Sequence, residues 1–228
     1  MFPTTQQVNE ARELLRRFLR PTRLISAERL ARDSDTEILL KLETDLPTGS
    51  FKPRGAIYAL MKNLEGRSIN GVVAASTGNH GAAVAYAARL ARLPATIFLP
   101  ESPNPIKRAR IISLGATVVE VEWKDQSLGN AAAAFAQEND YYFLNDASDD
   151  LVPVATATIA AEILDEVSTP DVIIVPMGDT ALVRGVSRSK TPTSCSQDRR
   201  CASCTGAVLR PIMGATSRGD YRDMQHDC

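Results

Sequence analysis

Three short segments of the chain combine residue types that can do chemistry. In Ser50-Phe51-Lys52-Pro53-Arg54-Gly55-Ala56 a lysine directly precedes a proline. Proline disfavours the helical region for the residue before it and suits the first position of a helix. Lys52 is therefore expected to be extended, with its ammonium at a junction between elements. A lysine held there can lose its proton and form a Schiff base with an aldehyde cofactor. A lone lysine is more often a solvated surface residue, so the case depends on its companions. The second segment is Ser76-Thr77-Gly78-Asn79-His80-Gly81. Free N–H groups at a helix start bind anions such as an amino acid carboxylate. Gly78 and Gly81 let backbone and ligand approach closely. Taken alone, the segment also fits a plain capped turn with a structural histidine. The third, Val175-Pro176-Met177-Gly178-Asp179-Thr180-Ala181-Leu182, reads as a strand running into a helix, a junction that can cradle a phosphate. Asp179 beside a dianion is unfavourable unless it points away.

The elements that must position these segments follow from periodicity. Val8, Ala11, Leu14, Leu15, Phe18 and Leu19 share one face of a first helix, capped by Thr4 or Thr5 and ended by Pro21. A strand is expected over 37–42. Beyond it, strands at 71–75, 95–99, 116–121, 141–144 and 172–175 alternate with helices at 54–64, 79–93, 104–114, 127–139 and 154–167. This alternation predicts an α/β fold with a mostly parallel sheet. The strands are short apolar runs, as expected when helices cover both sheet faces.

The 228 residues carry a net charge of −1, which gives no basis for a nucleic-acid or membrane partner. No apolar run is long enough to span a bilayer, and the N-terminus lacks the pattern of a secretory signal, so the expectation is a cytoplasmic protein. All four cysteines lie at or beyond Cys195, unlike a disulfide framework spread through a domain. From Ser187 onward the chain is rich in Ser, Thr, Arg, Cys and Gly without a sustained period. It reads as an aberrant tail, of frame-shifted or foreign character, in which 207–209 and 212–213 could anchor to a core. Cys201-x-x-Cys204 raises a zinc site, but it lacks a second ligand pair at regular spacing, and no metal is expected.

The order Ser-Phe-Lys-x-Arg-Gly-Ala, then Ser-x-Gly-Asn-His-Gly, resembles the paired signature of fold-type II pyridoxal-phosphate (PLP) enzymes of the serine/threonine dehydratase and serine racemase family. Pro21-Thr22-x-Leu24 and Lys41-Leu42-Glu43 are similar to that family too. The resemblance covers about residues 10–186. It implies Lys52 as the catalytic lysine that carries pyridoxal 5'-phosphate and moves the substrate α-proton. It implies Phe51 near the cofactor ring and Asn79 at its phenolic oxygen. Ser76, Thr77, Gly78 and His80 would hold the substrate carboxylate. Gly178, Asp179, Thr180, Ala181 and Leu182 would surround the phosphate, although relatives carry a run of glycines there.

The implied architecture has two domains with the cofactor between them. Residues 46–147 would form a small α/β domain, and 1–45 with 148–186 a large domain left incomplete before the 187–228 tail. The implied reaction is deamination of L-threonine or L-serine to a 2-oxo acid and ammonia. An amino acid racemase of the same family is the near alternative, since Thr77 keeps a hydroxyl in the loop, and a non-catalytic PLP-binding fragment is another. The expected partner is a small amino acid, and a homodimer is the assembly the resemblance allows.

Overall fold

In the computed structural model, residues 3–32, 36–122, 127–187 and 208–213 are described. Helix α1 (Thr5–Leu15) opens with a reciprocal capping box between Thr4 and Gln7. It ends earlier than its apolar periodicity predicts. The Arg16 N–H bonds back to Arg12 and Leu14 in a tightening last turn, yet Leu19 still reaches the core. Strands β1 (Leu24–Ser26) and β2 (Leu39–Lys41) pair antiparallel, with the short helix α2 (Glu28–Ala31) between them. A 3-10 turn over Glu43–Asp45 leads towards helix α3 (Lys52–Gly66). Lys52 is thus already helical, not extended. The Arg54 N–H closes a turn onto the Phe51 carbonyl, and Pro53 occupies a position where an N–H would have no helical partner.

The chain then alternates: β3 (Gly71–Ala75), α4 (Asn79–Ala91), β4 (Ala95–Pro100), α5 (Pro105–Ser113), β5 (Thr117–Val121), α6 (Ser127–Asn139) and β6 (Tyr141–Phe143). The four strands form one parallel sheet in the order β5-β4-β3-β6. Successive residues of β3 face opposite cores. Val72 and Ala74 join the larger cluster with α3 and α4, while Val73 packs with Phe98, Leu128, Ala132 and Ala136 on the α6 side.

Helix α7 (Leu151–Glu166) crosses α3 closely, since a Cβ placed on Gly55 would lie 2.8 Å from Val152 Cγ1. Strand β7 (Val172–Met177) and helix α8 (Ala181–Val186) follow, and α8 packs on α7. Strand β8 (Val208–Met213) pairs parallel with β7. The segment read as an aberrant tail therefore contributes a strand at the place where its apolar residues could anchor. The architecture is α/β with mostly parallel sheets, as expected. No helix among the described residues is long and apolar enough to cross a membrane.

Candidate functional site

Loops at the carboxyl ends of β3 and β6 and the first turn of α3 converge on a cavity of about 450 Å³. Its lining includes Lys52, Ser76, Thr77, Gly78, Asn79 and His80, so the first two sequence motifs meet in one place. The 76–81 loop is organised from within. Ser76 Oγ accepts the N–H groups of Gly78 at 2.9 Å and Gly81 at 2.8 Å. Its hydroxyl proton remains available to donate, and the Asn79 and His80 N–H groups have no partner within the helix. Gly81 is required by packing, because a Cβ there would stand 2.7 Å from Ile97 Cγ2. Thr77 and Asn79 are exposed, whereas His80 is buried.

Lys52 is largely buried and sits between two carboxylates. Asp146 Oδ2 accepts from Nζ at 2.6 Å, and Asp179 pairs with the same ammonium. Burial alone would lower the Lys52 pKa, but Asp146 and Asp179 outweigh it and hold the ammonium above its ordinary value. Nζ also lies 5.0 Å from the centroid of the Phe51 ring. His80 contacts Asp146 through Nδ1 at 3.3 Å and the Leu144 carbonyl through Nε2 at 3.0 Å. Burial pushes the His80 pKa down, against the opposing pull of Asp146. For Asp146, burial favours the neutral acid, yet the charge of His80, when protonated, and that of Lys52 hold its pKa below its ordinary value.

The third motif reaches the cavity only through Asp179. Gly178 and Thr180 are exposed, with Thr180 in the left-handed region at φ 66°. Ala181 turns towards α7, where its carbonyl accepts from Thr156 Oγ1 at 2.9 Å. Leu182 packs beside Ile159 and Val175.

Sequence reading missed Asp146, Lys107 and the role of Arg54. Lys107 lies against the loop: its Nζ would be 3.0 Å from a Cβ on Gly78. Arg54, in the turn after Lys52, is buried and forks onto two carboxylates. Its Nε and one terminal nitrogen meet Glu43 at 2.8 and 2.9 Å, and its terminal nitrogens meet Glu162 at 2.5 and 2.9 Å. Lys41 completes the network at 2.8 Å from Glu162. The start of α3 is thereby clamped from behind. No metal-binding cluster exists among the described residues, and Cys201 and Cys204 lie outside them.

The residues present fit a PLP-type cofactor in two respects. The Lys52 amine stands on the wall of a cavity large enough for a small ring, and the 76–81 loop, with its free N–H groups at the start of α4, lines the same cavity. Asp179 is the group that opposes a phosphate there.

Comparison with known proteins agrees with this geometry. Residues 15–207 match the family model described as "Pyridoxal-phosphate dependent enzyme". Serine racemase of Rattus norvegicus is 34% identical over 170 residues, covering 73% of this chain and 51% of that protein. L-threonine ammonia-lyase of Thermotoga maritima is 34% identical over 185 residues, covering 81% of this chain and 46% of the relative. The crystal structure of a threonine deaminase from T.th. superposes with a TM-score of 0.79 at 27% identity, covering 92% of this chain and 65% of that one. The chain spans about half the length of the curated relatives it matches.

Proposed function

Because the chain belongs to the family of pyridoxal-phosphate dependent enzymes, we propose that it deaminates a small hydroxy amino acid, L-threonine or L-serine, to a 2-oxo acid and ammonia. The observation that carries this reading is the meeting of Lys52 with the 76–81 loop on one cavity wall. In this reading residues 46–147 form the small domain, and 1–45 with 148–186 belong to the large one.

Lys52 would hold the cofactor through Nζ, and the same atom would move the substrate α-proton. When bound, the cofactor would supply an electron sink for the carbon that loses this proton, with Phe51 and Asn79 among the residues that would hold it. The N–H groups of Asn79 and His80, the Ser76 hydroxyl and the Thr77–Gly78 backbone hold the substrate carboxylate, and Lys107 adds positive charge beside them. Gly178, Thr180 and the 181–182 backbone face the phosphate. Racemisation is the second reading, favoured by the exposed Thr77 hydroxyl on the cavity wall.

Borohydride reduction of the cofactor-loaded protein followed by peptide mapping tests the lysine, with label expected on Lys52. Incubation with L-threonine and L-serine should then yield ammonia and a keto acid. Label elsewhere removes Lys52 from its role, and production of a D-amino acid without keto acid selects racemisation.

A further inference from the structure

One carboxylate behind the cavity serves two nitrogen groups with a single oxygen. Asp146 Oδ2 accepts from Lys52 Nζ at 2.6 Å and lies 3.3 Å from His80 Nδ1. The other ring nitrogen of His80, Nε2, is 3.0 Å from the Leu144 carbonyl oxygen. A carbonyl oxygen only accepts, so Nε2 carries a hydrogen. In a neutral ring Nδ1 is then a bare lone pair beside a carboxylate. That contact becomes attractive only when a proton lies between the two atoms.

The charges that face His80 come from three elements. Asp146 stands on the loop after β6, Lys52 on the first turn of α3, and Asp179 on the turn between β7 and α8. With Lys52 an ammonium and His80 neutral, the cluster holds two negative charges and one positive. If Lys52 alone lost its proton, Asp146 and Asp179 would lose the cation they share, and Asp146, whose side chain is 16% exposed, would be the more poorly solvated of the two. A proton on Nδ1 restores the balance. The Leu144 carbonyl fixes Nε2–H and leaves Nδ1 as the nitrogen nearer Asp146, 3.3 Å from Oδ2, so that a small rotation of either side chain completes the contact.

We propose that Asp146 is a positioning residue that couples the two bases, so that when Lys52 Nζ gives up its proton, His80 Nδ1 gains one by way of Asp146 Oδ2. One N–H bond breaks at Nζ and one forms at Nδ1, while Oδ2 ends as it began. The cluster keeps its net charge, and the buried cation moves from the lysine to the imidazole. The need for a neutral Lys52 rests on the proposed function, whereas the coupling itself rests on the three side chains alone.

The test reads His80 directly, in the full chain without added cofactor. The two histidines are labelled with carbon-13 at Cε1 and titrated by NMR, the His80 signal being assigned by its loss in His80→Gln. Lys52→Met should raise the His80 midpoint by about one to three pH units, the range for a change in a nearby charge. Lys52→Arg, which keeps the cation, should not. In the double variant Lys52→Met with Asp146→Asn the rise should vanish. An unmoved midpoint in Lys52→Met, or an equal rise in the double variant, overturns the coupling. If Lys52→Met loses its fold by circular dichroism, Asp146→Asn alone decides. Its His80 midpoint should fall below that of the parent chain, and an unchanged or raised value overturns the proposal. Failure of the borohydride label at Lys52 would remove the proposed function and leave this titration untouched. A correct label with an unmoved midpoint would remove only the coupling.

Discussion

Asp179 Oδ1 accepts the backbone N–H of Ala181 at 3.2 Å, so a carboxylate of the chain itself occupies the turn into α8. Its second oxygen pairs with Lys52. Both contacts oppose a bound phosphate in that turn, one by like charge and the other by holding Lys52 as an ammonium. Asp179→Asn should therefore tighten PLP binding about fivefold, equivalent to ~1 kcal/mol for one like charge near a surface. An absorbance titration with cofactor measures it. Weaker binding in the variant would mean that Asp179 helps to hold the cofactor.

Lys107 is expected to act on substrate, not on the fold. It lies against Gly78 at the mouth of the cavity, and its side chain is exposed. Lys107→Met should raise KM for the amino acid about threefold to tenfold with kcat nearly unchanged, the pattern of lost uniform binding. Steady-state kinetics on L-threonine and L-serine check this, and an equal fall in kcat at constant KM would contradict it.

Arg54 should be among the most costly side chains to remove. Arg54→Met leaves Glu43 and Glu162 in a buried setting with only Lys41 to compensate, and breaking such a network costs about 3–5 kcal/mol. Arg54→Lys should recover only part of the loss, because an ammonium cannot make both forked contacts. Urea unfolding gives the numbers, and a cost below about 1 kcal/mol would reduce the network to a surface-like pair.

The same charges set a pH window for stability. Burial raises the Glu162 pKa, but Arg54 and Lys41 overcome it and hold the carboxyl below its ordinary value. Asp146 is likewise depressed. Their stabilisation is present above the unfolded carboxyl pKa and is lost as pH falls through the folded one. Lys52 runs the other way. Its raised pKa stabilises fully below the unfolded lysine value, and that stabilisation is lost as pH rises through the folded value. With His80 held neutral by burial adding to the acid side, the melting temperature should be level from about pH 7 to 9 and fall on both sides. Calorimetry across the range checks it, and Arg54→Met should flatten the acid limb.

Two glycines give a packing contrast. A Cβ on Gly185 would lie 2.6 Å from the Pro153 carbonyl oxygen and 2.7 Å from the Ala157 nitrogen, both backbone atoms that cannot give way cheaply. Gly185→Ala should cost about 1–3 kcal/mol and separate α8 from α7. A Cβ on Gly129, within α6, would meet no atom within 4 Å. Gly129→Ala should be neutral or stabilising by up to about 1 kcal/mol. Thermal denaturation of the two variants compares them.

The sequence made the alternating core visible because β3, β4 and their helices are apolar in runs of the right length. Lys52 and the 76–81 loop were legible as local motifs. Asp146 was not, since its partner Lys52 is 94 residues away and the Asn145-Asp146-Ala147-Ser148 stretch looks like any polar turn. Arg54 lay within a motif, but its value depends on Glu43 and Glu162, which only tertiary packing brings to it. The β1–β2 pair was half seen, because three residues are too few to show a period. In the third motif the Ala181 carbonyl bonds Thr156 and the Leu182 side chain packs on Ile159 and Val175, contacts that local sequence does not announce, and Asp179 alone reaches the cavity.

The strand order β5-β4-β3-β6 has a consequence that precedes any choice of side chain. After β3 the chain steps outward twice to one side, then returns to the other side of β3 for β6. Connections therefore diverge from the β3–β6 pair in opposite directions, and a crevice opens above their carboxyl ends at this topological switch point. Its two banks are the 76–81 loop and the Leu144–Asp146 turn. The distance between them is set by the pairing of Val73 with Phe143. A slip of one residue in that pairing would carry Asp146 about 3.3 Å along the strand, farther than the whole length of its bond to Lys52. The contact between Lys52 and Asp146 is thus indexed to the sheet register of a three-residue strand, and a deletion within 141–143 should break it even where every side chain lining the cavity is intact.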